Sequence, residues 1–122
     1  MLIPYIAVAT LLVLHQIDAV YYREWEMFLL PGGYLSYMVF NLLAFPFVLF
    51  GLNQVSIRHK NAKLWSFFLA ALGLITFLIH TVFFLFGDGR FELLGSKIMI
   101  YLCLPASLWL GLKAFQIRNS SD

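Results

Sequence analysis

The sequence predicts an all-α polytopic membrane protein with four transmembrane helices, and three observations carry that prediction. Of its 122 residues, 62% are apolar and only 11% are charged, where a soluble domain carries about 25% charged residues. Mean hydropathy is +0.88, and a soluble core this small could not bury that much apolar surface. The apolar residues also fall in four runs, each near the roughly 20 helical residues that cross a hydrocarbon core. Disorder is excluded by the same composition. Eight Lys and Arg supply no basic face for a nucleic-acid partner. A single cysteine, Cys103, excludes an internal disulfide framework and a thiolate metal cage, and it reads as buried and inert.

The first span runs from about Leu2 to Tyr22. It has no basic n-region, is interrupted by His15 and Asp18, and has no small-x-small cleavage site behind it, so it reads as a permanent helix. Pro31-Gly32-Gly33 closes the first loop and opens the second span, about Gly33 to Leu52. The polar stretch Asn53 to Lys63 separates it from the third span, Leu64 to Phe86. Gly87-Asp88-Gly89 then breaks the chain before the fourth span, Ser96 to Phe115. No run alternates with period two, and each is about twice the length of a barrel strand.

Orientation follows from the basic residues. Arg58, Lys60 and Lys63 in the second loop join Lys113 and Arg118 in the tail, against Arg23, Arg90 and Lys97 on the other side. The excess places both termini and the second loop in the cytoplasm. Tyr21, Tyr22, Trp25 and Tyr34 then mark the outer interface, and Trp65 with Trp109 the inner one. Arg58-His59-Lys60 reads as a topology determinant that also meets anionic lipid.

The two halves align with each other. Leu14-His15 falls on Ile79-His80, Trp25-Glu26-Met27-Phe28 on Phe91-Glu92-Leu93-Leu94, and Pro46 on Pro105. Gly51-Leu52 with Ile57-Arg58 falls on Gly111-Leu112 with Ile117-Arg118. The expectation is a single transmembrane domain built as two tandem hairpins, repeat one about 1–60 and repeat two about 64–119, in parallel orientation.

Ionisable groups inside a membrane are costly and face the bundle interior or a watery cavity. His15 and Asp18, at i and i+3, share a helix face that Tyr22 continues. His80 lies at a similar depth in the third span, Tyr37 and Asn41 in the second and Tyr101 in the fourth. Together these seven residues form a candidate pocket near the extracytoplasmic face. Glu26 and Glu92 stand at its mouth. Glu26 follows His15 by 11 residues, about 16 Å along a straight helix, so it reaches the pocket only if the chain folds back. His15, Asp18 and His80 are the expected metal set, suited to a divalent ion such as Zn. The same groups serve acid/base chemistry, with Asp18 orienting His15. Glu24, Glu26, Asp88 and Glu92, taken singly, read as solvated interface groups, and Glu24→Ala is expected to be nearly silent. The chain holds no phosphate-cradling glycine loop, nucleophile elbow, HExxH or CxxC.

At His15-Gln16-Ile17-Asp18-Ala19 followed by Trp25-Glu26, the sequence resembles small bacterial four-helix integral membrane proteins with an H-x-x-E-E signature. Asp18 stands at the first Glu of that signature and Ala19 at the second. The resemblance implies an inner-membrane protein of about this length with no settled activity. The architecture is also similar to that of membrane isomerases and cyclases that protonate sterol or carotenoid double bonds. Three functions are expected in order: a metal- or ligand-binding membrane protein, as an accessory subunit of a membrane complex; a lipid- or isoprenoid-modifying enzyme using an intramembrane carboxylate; and a small proton-coupled carrier, acting as a homo-oligomer.

Overall fold

The computed structural model describes residues 1–87 and 92–117. Asp88 to Phe91 and residues 118–122, on which parts of the loop, orientation and repeat expectations fall, lie outside the described residues. In lipid every backbone N–H and C=O must be satisfied within the protein, so long apolar runs fold as helices. The described residues form α1 (Leu2–Tyr21), α2 (Glu24–Met27), α3 (Gly33–Ser56), α4 (Ala62–Leu85) and α5 (Leu94–Gln116). Four of these, α1, α3, α4 and α5, are long and apolar enough to cross a membrane. At 1.5 Å per residue their 20 to 24 residues span about 30–36 Å. Pro4 sits in the first turn of α1, where its missing N–H is harmless. Pro46 and Pro105 lie inside α3 and α5, a placement that membrane helices tolerate.

Two helix ends are set by left-handed caps that no glycine marks. Arg58, at φ 53°, closes α3 in a left-handed conformation. Its N–H donates to the Val55 carbonyl at 3.3 Å and that of His59 to the Gln54 carbonyl at 2.9 Å. This is a Schellman cap, the arrangement that glycine usually supplies. Leu29, at φ 50°, closes α2 the same way, with Leu30 N–H on the Trp25 carbonyl at 2.9 Å. Without a glycine to announce it, α3 runs through Asn53 to Ser56, where Gln54 and Val55 are buried. The second loop is therefore 57–61 rather than Asn53 to Lys63.

α1 and α4 lie side by side at the centre, α5 packs across both, and α3 flanks them from the other side without touching α5. Near the 57–61 loop, Tyr5, Val8, Val55, Leu69 and Leu110 form one core. At the opposite end Ala19, Met27, Tyr37 and Ile100 form a second. The Tyr5 hydroxyl donates to the Val48 carbonyl at 3.0 Å, tying α1 to α3. At Gly73, α4 closely approaches Ser107 of α5 and Val8 of α1. Of the four long helices α3 is the least buried, and α1 and α5 the most. The thin α1–α3 seam leaves an apolar cavity of ≈ 500 Å³ lined by residues including Gln16, Val20, Tyr37, Asn41, Phe45 and Leu49. The hairpin α4–α5 is thus packed far more tightly than the pair α1 and α3.

Candidate metal centre

Three side chains from three elements meet at the α2 end of the bundle. His15 projects from α1 and His80 from α4, and both are buried because these helices face each other. The third is Glu24, the first residue of α2. Arg23, at φ 53° and ψ 51°, turns the chain back over the end of α1, and its N–H bonds the Val20 carbonyl at 3.2 Å. A non-glycine residue in that region costs roughly 1–3 kcal/mol. The reversal puts Glu24 over the bundle, only 5% exposed.

α2 is pinned on both sides. Trp25 packs on Tyr34 and Tyr37 of α3, with ring centroids at 5.4 and 5.5 Å. Phe28 packs edge-on against Phe83 of α4 at 5.6 Å. Tyr37 is held in turn by Gln16 of α1: its hydroxyl lies 2.9 Å from the backbone oxygen and 2.5 Å from the side-chain oxygen.

The geometry of the three is tight. His80 Nε2 lies 3.1 Å from His15 Nε2, with the rings nearly perpendicular at 79°. Glu24 Oε1 lies 3.0 Å from His80 Nε2 and 3.6 Å from His15 Nε2. Burial pushes the Glu24 carboxyl upward, but hydrogen bonds and charge from His15 and His80 outweigh it and hold the group down at about 2. Glu24 is therefore a carboxylate. Three atoms able to donate lone pairs converge on one point, and they make a group that could hold a metal ion.

The other expected site residues fall outside this triplet. Asp18 is half-buried, one turn along α1 from His15, and outside the converging group. Tyr22 bridges to the start of α5, its hydroxyl accepting from Leu93 N–H at 3.4 Å and facing Ser96 Oγ at 3.5 Å. Tyr37 and Asn41 are buried, and Asn41 Nδ2 donates to the Tyr37 carbonyl at 3.0 Å. Tyr101 is 50% exposed and edge-on to Phe77 at 5.9 Å. Glu26 is exposed and paired with Arg23 at 2.6 Å, and Glu92 is exposed. Within the single turn of α2, Glu24 faces the bundle and Glu26, two residues on, faces away. The solvated role expected of Glu24 is corrected by its burial. Its one sequence signal is that two histidines at one depth call for a nearby counter-charge, and Glu24 is nearer His15 in sequence than Glu26.

Four apolar spans around a buried His/Glu cluster define the class: a polytopic helical membrane protein with a candidate metal centre. The chain belongs to DUF6713, a family of unknown function, matched over residues 1–117. Neither a curated protein nor a solved structure matches it.

Proposed function

We propose that the protein is an integral membrane metal-binding protein in which His15 Nε2, His80 Nε2 and Glu24 Oε1 ligate one divalent ion. The observation that carries this reading is their mutual separation of 3.0, 3.1 and 3.6 Å. Zinc bonds of about 2.0–2.1 Å put neighbouring ligand atoms of a tetrahedron about 3.3 Å apart. His15, His80 and Glu24 would together hold the ion, which would supply Lewis-acid chemistry there. Two imidazoles and one carboxylate with an open position are the donor set of catalytic zinc sites, and they also suit Fe(II) or Mn(II). The chain's own part is to desolvate the site, fix both imidazoles from rigid spans, and supply the charge of Glu24.

The centre lies at the end of the bundle away from the basic 57–61 loop. With that loop cytoplasmic, the centre faces the extracytoplasmic side of an inner membrane. A lipid- or isoprenoid-active role is the second reading, supported by the apolar α1–α3 cavity whose wall includes Gln16, the neighbour of His15.

Elemental analysis of protein purified without chelators and reconstituted with Zn²⁺ tests the first reading. About one ion per chain is expected, lost in His15→Ala, His80→Ala and Glu24→Gln. Metal-free wild type after reconstitution, or full loading of Glu24→Gln, would overturn it.

A further inference from the structure

We propose that Asp18 is a positioning residue of the metal centre, supplying the second negative charge that matches it to a divalent cation; this rests on the metal reading of His15, Glu24 and His80. Asp18 follows His15 by three residues on α1, a spacing that puts both side chains on one helix face. Its Oδ2 atom is buried and has no hydrogen-bond partner. A carboxylate oxygen in such a place is costly unless a proton, a donor or a cation compensates it. Among the described residues the cations at this end are engaged elsewhere: Arg23 pairs with Glu26 at 2.6 Å, and Lys97 Nζ lies 5.1 Å over the Phe84 ring.

The charge of the centre itself points the same way. Imidazoles bind metal in their neutral form, so the three ligands carry one negative charge, that of Glu24. A divalent ion bound there leaves one positive charge in a desolvated end of the bundle. Among the described residues the remaining acids at this end, Glu26 and Glu92, are exposed to solvent. Asp18 is the half-buried one. It lies outside the group whose ligand atoms converge, so it acts through its field rather than as a ligand. The ion and the orphaned carboxylate oxygen compensate each other.

The test compares Zn²⁺ affinity, by competition with a chromophoric chelator, for wild type, Asp18→Asn, Asp18→Glu and Glu26→Gln in lipid nanodiscs. Asp18→Asn keeps the shape and removes the charge. It is expected to bind one Zn²⁺ with about 10–100-fold lower affinity, the cost typical of losing an outer-shell partner. The visible spectrum of the Co²⁺-loaded protein should stay that of the same three ligands. Asp18→Glu should recover affinity to within a few-fold of wild type, and Glu26→Gln should match wild type. An Asp18→Asn affinity equal to wild type, or an Asp18→Glu as weak as Asp18→Asn, overturns the charge role while leaving the centre standing. A wild type that takes up no Zn²⁺ overturns the centre and this role together.

Discussion

Glu24 concentrates the behaviour of the site in one carboxylate. Replacing it with Gln keeps the volume and one oxygen but removes the charge that both imidazoles face. Metal affinity is expected to fall at least 100-fold, since a ligand is lost rather than an outer-shell group. The same substitution reports on pH in metal-free protein. The folded-state value, about 2, lies below the ordinary carboxylate value of 4.5, so the carboxylate stabilises the fold fully above about pH 4.5. That contribution drains away as the pH falls toward 2. The melting-temperature gap between wild type and Glu24→Gln should therefore be widest near neutrality and close in acid. A gap constant from neutral pH to about pH 3 would mean that Glu24 is not ionised in the fold. The histidines were legible in the sequence because ionisable residues inside apolar spans stand out against lipid. Glu24 was not, because its burial depends on Arg23 adopting a left-handed turn that no glycine marks.

At the scale of elements, the four spans were legible from run length alone, and their ends were less so. α3 gained its last turn from a cap on Arg58. The short helix α2 escaped notice because four residues carry no periodicity. Packing between spans rests on small residues, as expected where lipid and side chain are equally apolar. A methyl group on Gly73 would overlap Ser107 Oγ and come within 3.2 Å of Val8 Cγ1. Gly73→Ala is expected to destabilise the bundle by about 1–3 kcal/mol, read as a shifted midpoint in SDS-induced unfolding. Adding Ser107→Ala removes the overlapping atom and should recover part of that loss. Gly95→Ala meets nothing within 4 Å and should be neutral, or stabilising by roughly 0.5–1 kcal/mol. Equal effects at Gly73 and Gly95 would show that α4 and α5 do not meet as described.

For the whole molecule, α1 and α4 are the axis of the bundle and α3 is its loosest member. The proposed orientation puts the 57–61 loop and the Leu29–Gly32 turn on opposite sides of the membrane. With Cys103 buried, single cysteines at Lys60 and Leu29 can be labelled cleanly in intact cells. An impermeant maleimide should modify Leu29→Cys and spare Lys60→Cys until the membrane is opened. The reverse pattern would invert the topology and turn the centre toward the cytoplasm. The tandem-hairpin reading makes a separate demand, that α1 with α3 superpose on α4 with α5. Their unequal packing shows where that comparison would be poorest, at the α1–α3 cavity.

The separation of the donors along the chain sets an order of events during synthesis. His15 and Glu24 emerge close together, while His80 follows 65 residues after His15. A nascent chain with two spans inserted can offer an ion at most two of the three donors. The third arrives only when α4 has entered the membrane and docked beside α1. A filled centre therefore certifies a chain whose third span is in place, and chains truncated before His80 should insert but hold no ion.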